Sequence, residues 1–412
     1  LSSSTHQPTS LGPSVLFTAF EPSGDDHASA VIEVLRRTRP DIAIYAWGGP
    51  KMEAAGAEII ERTGDDAVMG MPGIEKIREH QKINERIEAW LSAHRVTLHV
   101  PVDSPAANFP ICRIAKAKGI RVVHLVAPQV WAWGSWRINK LRRLTNHVLC
   151  LLPFEEQWFK QRGVPATFIG HPLFDHVLDE AVLDAAVSGL AQGHPRVALM
   201  PGSRPGEIAR NFPLLLESFK RLQADHPGLV GCVAVTTSRV EQTLRAMASE
   251  VGGWPEGLDA LVGQTDAIVR WCDLALVVSG TVTLQIAKQC KPMVIVYKSG
   301  LVDRIIYTLA RDVLFTTDHF TLPNLIAGRE IVPELVPHFG DAEPIVRHAT
   351  DLLESEDLAS AQRTELQRVV EKFKGRSASP AAAEVIARIV DESTPAQPGT
   401  GSAQLASAGF NR

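Results

Sequence analysis

The chain has 412 residues, of which 45% are apolar and 21% charged, with 42 Lys and Arg against 46 Asp and Glu for a formal charge of −4. These proportions exclude a disordered or fibrous chain, and the length suggests two or three domains with ample core. The charge gives no whole-chain reason to expect nucleic acid, and the cysteines at 112, 150, 232, 272 and 290 lack C-x-x-C spacing, so neither a zinc site nor a disulfide framework is indicated. No apolar stretch approaches the roughly 18 to 20 residues of a membrane span, so any membrane contact must be peripheral, and a reducing cytoplasm is the simplest compartment.

Leu1 to Pro13 is rich in Ser and Thr without a cationic n-region or an apolar h-region, and reads as a flexible tail rather than a signal peptide. Val15 to Ala19 predicts a strand, and Glu21-Pro22-Ser23-Gly24-Asp25 a polar turn into a helix over about Asp26 to Arg37. Asp25 or Asp26 serves as an N-cap on one reading. On another, the grouped carboxylate, hydroxyl and glycine suit a sugar. Ala43 to Trp47 is a second strand, a helix follows near Lys51, and Ile74 to His94 is a long, heavily charged helix.

The strand Thr97 to Val102 ends at Asp103, with Ser104-Pro105-Ala106-Ala107-Asn108 behind it. A carboxylate at an apolar strand end is partly desolvated and a stronger proton acceptor, which suits a general base for an alcohol nucleophile. An Asx-turn is the competing explanation. After Arg121 to Val126 come Trp131, Trp133 and Trp136, then Arg137, Lys140, Arg142 and Arg143. Such residues stack on sugars or acyl chains and hold anionic head groups, though core packing with a solvated face accounts for the same letters. Strands His147 to Leu152 and Ala166 to Ile169 follow, and a helical connection runs from Gly170-His171-Pro172 to about Gly193.

A second strand-helix series comprises Arg196 to Met200, Gly231 to Thr236, Leu274 to Val278 and Pro292 to Tyr297. The first of these runs into Pro201-Gly202-Ser203-Arg204 and an amphipathic helix. Unpaired N–H groups at a helix start, the positive end of its dipole and a guanidinium converge on a phosphate or diphosphate. The run Leu274 to Val278 likewise stops at Ser279-Gly280-Thr281 before the helix Val282 to Cys290. Two such turns suggest a nucleotide diphosphate cradle, and neither fits the Walker or dinucleotide patterns. The stretch Thr321 to Glu330 carries no mechanism derivable from spacing; Asn324, Arg329 and Glu330 are ligand contacts or caps. The end, Ser393 to Arg412, has the composition of a disordered tail. The alternation as a whole predicts an α/β chain of two doubly wound, Rossmann-like halves facing across a cleft.

With these pieces in order, the chain resembles the lipid-A-disaccharide synthase family. The matching strings are Glu21-x-Ser23-Gly24-Asp25, Gly48-Gly49-Pro50-x-Met52, Val68-Met69-Gly70, Asp103-x-Pro105 with Asn108, Val130-Trp131-Ala132-Trp133, Leu152-Pro153-Phe154-Glu155, Phe168-Ile169-Gly170-His171, Pro201-Gly202-Ser203-Arg204, Ser279-Gly280-Thr281 and Leu322 to Glu330. The resemblance implies a GT-B fold with an acceptor-binding domain over 14–172, a linker over 173–193, a UDP-sugar-binding domain over 194–343, and helices from about 344 to 392 packing back on the first domain, between tails 1–13 and 393–412. It also implies an inverting transfer. A primary hydroxyl of 2,3-diacylglucosamine 1-phosphate attacks the anomeric carbon of UDP-2,3-diacylglucosamine, giving lipid A disaccharide 1-phosphate and UDP.

On that resemblance Asp103, Glu21 and Arg204 are catalytic, with Asp103 as base. Gly202, Ser203, Arg204, Ser279, Gly280, Thr281 and Gln285 bind UDP, while Ser23, Asp25, Asn108, Trp133, Asn324 and Arg329 meet the acceptor or sugar. No metal or cofactor is expected. The second half offers no D-x-D strand end, and helix dipoles with Arg204 take a metal's place. The expected partners are the two diacylglucosamine substrates and an anionic membrane surface at the inner face of the cytoplasmic membrane, with a homodimer admitted.

Some family positions depart. Phe20 stands where the family has glycine, Ala106 where it has aspartate, and Gln285 where it has the glutamate that takes the ribose hydroxyls. Loss of that charge weakens a hydrogen bond by about 1 to 2 kcal/mol. Ile74 to Lys82 is charged where relatives are more apolar, so docking would lean on basic residues and anionic lipid. Phe20, Ala106 and Gln285 motivate one rival, a weak or inactive paralogue that binds nucleotide-sugar or lipid; the other is a related sugar-nucleotide enzyme, such as a 2-epimerase or a GT-B transferase with another acceptor.

Overall fold

The computed structural model of the chain describes residues 12–63, 73–132, 134–300 and 317–393. Trp133, the Val68-Met69-Gly70 string and nearly all of the two expected tails lie outside the described residues.

Strand and helix alternate because short Val/Ile/Leu runs are separated by amphipathic stretches bounded by turn residues. The first series is β1 (Ser14–Thr18), α1 (Pro22–Thr38), β2 (Ala43–Gly48), α2 (Pro50–Ala54), β3 (Glu58–Arg62), α3 (Gly73–Ala93), β4 (Leu98–Pro101), α4 (Pro105–Ala117), β5 (Arg121–Leu125), α5 (Ile138–Leu144), β6 (His147–Cys150), α6 (Glu155–Lys160) and β7 (Ala166–Phe168). The second is α7 (Glu180–Ala186), β8 (Arg196–Met200), α8 (Pro205–Asp225), β9 (Val230–Val235), α9 (Ser238–Glu250), β10 (Leu258–Val262), α10 (Thr265–Trp271), β11 (Leu274–Val278), α11 (Val282–Lys288), β12 (Met293–Lys298), α12 (Leu322–Ala327), β13 (Glu334–His338), α13 (Glu343–Glu354), α14 (Glu356–Glu371) and α15 (Ala378–Ser393).

The strands form two sheets, ordered β3-β2-β1-β4-β5-β6-β7 and β10-β9-β8-β11-β12-β13. Every pairing within the second is parallel, as are those of β1 with β2 and β4 in the first. Both orders contain the doubly wound 3-2-1-4-5-6 pattern, whose direction reverses between β1 and β4 in one sheet and between β8 and β11 in the other. Ligands of such sheets bind outside the strand carboxyl ends at these reversals.

Central strands are apolar on both sides because helices cover both faces. In β8, Val197 and Leu199 pack with Phe212 and Phe219, while the alternate residues Ala198 and Met200 pack with Ile268 and Ile286. Three strands absent from the sequence reading, β3, β10 and β13, are edge strands or neighbours of none but one strand, and their residues are mostly half-exposed.

The described residues divide into two compact units, one within 1–128, 142–149 and 379–412, the other within 129–141 and 150–378. Of residues 344–392, expected to pack on the first domain, those up to 378 group with the second unit and those from 379 with the first. Ile345, Val346, Ala349 and Leu352 of α13 join the core on one face of the second sheet, and Leu366 of α14 joins that on the other. Their apolar stripes find cover there. In the first unit α15 ties down through Asp391 to Arg39 and Glu392 to Arg121, both at 3.0 Å.

Candidate active site

In the first unit, β1 and β4 deliver their carboxyl ends side by side, and the residues that follow them meet. Glu21, at the N-cap of α1, accepts a hydrogen bond from Ser104 Oγ at 2.7 Å. Asp103 and Ser104 both adopt left-handed backbone, with φ of 46° and 35°. Two consecutive non-glycine residues in that region are costly and persist only when their surroundings hold them. The holding group is Asn108, fully buried in the first turn-and-a-half of α4. Its Nδ2 donates to the carbonyls of Val102 and Asp103, each at 3.0 Å, and its Oδ1 accepts from Thr18 Oγ1 at 2.7 Å. Asp103 N also donates to Leu125 O at 2.9 Å.

Burial raises the Asp103 carboxyl above its ordinary value, and the negative charge of Glu21 adds to the effect; the Ser104 N–H and His27 oppose it. A carboxylate so placed is a better proton acceptor than one in water. His27 is itself held below the ordinary imidazole value, chiefly by burial, against the pull of Asp103 and Asp26. Behind the turn lie two fully buried rings. Thr18 gives its only hydroxyl proton to Asn108, so it accepts from His99 Nε2 at 2.9 Å. His124 Nδ1 donates to Pro101 O at 3.2 Å. Burial pushes both imidazoles down to about 3, so both are neutral at physiological pH.

Asp25 does not join this group. Its buried carboxylate accepts from the backbone N–H of Gly49 and Met52 at 3.1 Å and of Lys51 at 3.0 Å, satisfying the start of α2. A Cβ on Gly49 would lie 2.4 Å from the Asp25 carboxylate, so the Gly48-Gly49-Pro50 string and Asp25 form one packing unit. Asn108, expected at the acceptor, likewise spends its amide on the turn. Ser23 is exposed in the first turn of α1, and Ala106 is exposed in that of α4. Phe20 meets His80 edge-on, with centroids 5.8 Å apart, and so fills space beside Glu21.

In the second unit, Gly202-Ser203-Arg204 follows β8 and Ser279-Gly280-Thr281 follows β11, the two strands flanking the reversal. Gly202 has φ of 96°, which a side chain resists, and it turns the chain into the 21-residue α8. Ser203 and Arg204 are exposed there, and Arg204 Nη1 is paired with Glu207 at 3.0 Å. Gly280 has no atom within 4 Å of where a Cβ would stand, so its surface is open. Thr281 caps α11 by position, and Thr283 Oγ1 fastens the turn by donating to Gly280 O at 2.7 Å. Gln285 is half-buried one turn further along α11.

Asn324 and Arg329, expected at the acceptor or sugar, are each engaged by other residues of the chain. Fully buried Asn324 donates to Val332 O at 3.0 Å and Glu334 Oε2 at 2.8 Å and accepts from the N–H of Ile331 and Val332, which exhausts its amide. Arg329 is ion-paired with Glu365 of α14. Two further strings are joined by one contact: buried Glu155 accepts from Trp131 Nε1 at 2.8 Å and Leu152 N at 2.9 Å, and burial pushes its carboxyl up to about 7.

Sequence reasoning missed Thr18, His27, His99, Ser104, His124 and Glu207. The hydroxyl after Asp103 and the carboxylate three residues after Arg204 were readable from position. The histidines carried no signal, since their partners lie on other strands.

A family model described as lipid-A-disaccharide synthetase matches residues 15–390. A Geobacter sulfurreducens protein named lipid-A-disaccharide synthase is 32% identical over 369 residues, covering 87% of this chain and 92% of that one. A Solibacter usitatus protein of the same name is 35% identical over 373 residues, covering 89% and 95%. Among solved structures, the glycotransferase of kitacinnamycin aligns with a TM-score of 0.60 over 92% of this chain and 99% of that one, at 15% identity, which is a likeness of fold.

Proposed function

We propose a division of labour for a chain that belongs to the lipid-A-disaccharide synthase family: the turns after β1 and β4 receive the acceptor, and those after β8 and β11 hold the donor diphosphate. The reaction is a glycosyl transfer that condenses lipid A precursors, UDP-2,3-diacylglucosamine and 2,3-diacylglucosamine 1-phosphate.

On this reading Asp103 takes the proton of the acceptor's primary hydroxyl as its oxygen forms a bond to the anomeric carbon. The bond from that carbon to the diphosphate breaks, and its electron pair leaves with UDP. Arg204 and the first N–H groups of α8 meet the growing negative charge. Glu21 acts beside the base by raising the proton affinity of the Asp103 carboxylate and by fixing Ser104. Ser279, Gly280 and Thr281 complete the diphosphate cradle, and Gln285 reaches the ribose hydroxyls. The observation that carries this reading is the half-buried, raised carboxyl of Asp103, held in a left-handed turn at the sheet reversal. UDP release from the two substrates tests it, with Asp103→Asn and Arg204→Gln separating the chemical step from donor binding.

A peripheral seat on the inner face of the cytoplasmic membrane fits substrates that carry acyl chains. Among the described residues no helix is long and apolar enough to cross a membrane. Trp136 is 57% exposed, and exposed Lys140, Arg142 and Arg143 follow it in sequence, a composition suited to anionic lipid. Co-sedimentation with anionic vesicles but not with neutral ones is the expected result. Trp136→Ser should weaken it, and equal recovery on both vesicle types would contradict the assignment.

A further inference from the structure

A cavity of about 580 Å³ opens in the second unit where Arg196, Arg270, Trp271, Lys288 and Lys291 come together. Arg196 begins β8, Trp271 ends α10 just before β11, and Lys291 precedes β12. The cavity therefore lies at the amino ends of these strands, whereas the donor turns lie past the carboxyl ends, a strand length of roughly 16 Å away.

The four cations are not equivalent. Arg270 is paired with Glu180 at 3.0 Å and with Asp184, and Arg196 with Asp273 at 3.3 Å. Lys288 and Lys291 have no carboxylate within 4.0 Å among the described residues. Lys288 Nζ donates to the carbonyls of Leu173 at 2.7 Å and His176 at 2.6 Å, and Lys291 Nζ to that of Cys272 at 2.8 Å. An ammonium carries three N–H bonds, so both retain donors without a protein acceptor among the described residues. Burial lowers both lysines below their ordinary value, against the pull of Asp266 and Asp175 on Lys288 and of Asp273 on Lys291, and an anion beside them would offset it further. Leu178, Leu183 and Val187 give the same cavity an apolar wall.

We propose that this cavity is a second anion site that takes a phosphate ester, with the phosphate between Lys288 and Lys291 and the organic body against Trp271 and Leu183. Its volume suits a small organic phosphate rather than a bare ion. Helix α11 starts at the donor turn and ends at Lys288, so an occupant touches the element that presents Thr281.

Calorimetric titration of the full chain, first saturated with UDP so that the donor turns are filled, tests the site. Glycerol 3-phosphate is the soluble probe, and vesicles containing phosphatidic acid are the lipid probe. The expected result is saturable binding of at least one probe, weakened about tenfold or more by Lys288→Gln with Lys291→Gln, as loss of charge-assisted bonds requires. Gln289→Glu, which keeps both lysines and supplies a competing carboxylate from the cavity wall, should weaken it too while leaving UDP affinity unchanged, at the cost of the 2.9 Å bond that Gln289 Nε2 gives to Asp266 O. Lysine-dependent binding of glycerol 3-phosphate identifies a soluble ligand, and of the vesicles alone a lipid head group. Absence of binding to both probes, or binding that neither variant changes, would overturn the proposal.

Discussion

Asn108 Nδ2 donates to the carbonyl oxygen of Asp103 at 3.0 Å, and the same nitrogen bonds Val102 O at 3.0 Å, so one buried amide clamps the turn that carries the proposed base. Thr18 at the end of β1 completes the clamp from the neighbouring strand. The position of Asp103 thus depends on a side chain that never needs to meet substrate.

Asn108→Ala should release that turn. We expect kcat to fall about 10- to 100-fold, with UDP affinity unchanged, and stability to fall by about 1 to 3 kcal/mol for the buried partners left unpaired. Steady-state kinetics alongside urea unfolding checks this. A raised KM for the acceptor at normal kcat would instead make Asn108 a substrate contact.

Asp25→Asn separates a cap from a sugar ligand. Because the Asp25 carboxylate serves three backbone N–H groups, the variant should lose about 1 to 3 kcal/mol of stability and keep the acceptor KM. Gly49→Ala, which drives a methyl into the same carboxylate, should be destabilising as well. A tenfold rise in acceptor KM without loss of stability would return Asp25 to the sugar.

Glu155 makes stability depend on pH. Its carboxyl is raised from 4.5 to about 7, so the folded chain holds a proton that the unfolded chain has lost between these values. That contribution is complete below pH 4.5 and disappears as pH rises through about 7, at most about 3 kcal/mol. Glu155→Gln cannot titrate. The wild-type chain should therefore lose stability relative to the variant between pH 5 and pH 8 in urea unfolding; a difference independent of pH would show that the burial effect is absent.

The central strands of both sheets were legible because burial on two faces leaves nearly unbroken apolar runs such as Leu274 to Val278. Edge strands were not: β3 reads Glu-Ile-Ile-Glu-Arg and β13 carries Pro337, since half-exposed backbone needs no such run. Within the site, the turns at Asp103, Arg204 and Thr281 were readable because small or polar residues end an apolar run. The intramolecular partners of Asp25, Asn108 and Asn324 were not, because a polar side chain beside a ligand and one that locks a turn look alike in sequence. Their partners decide between the two, and Gly49 stands 24 residues from Asp25.

The most direct measurement is single-turnover transfer by Asp103→Asn across a pH range, with UDP affinity measured in parallel. A base must be deprotonated, so the wild-type rate should fall as pH drops through the raised Asp103 value, and the variant should be slower by about 100-fold or more with that acid limb gone and UDP binding intact. Near-normal transfer by Asp103→Asn, with the acid limb retained, would contradict the account.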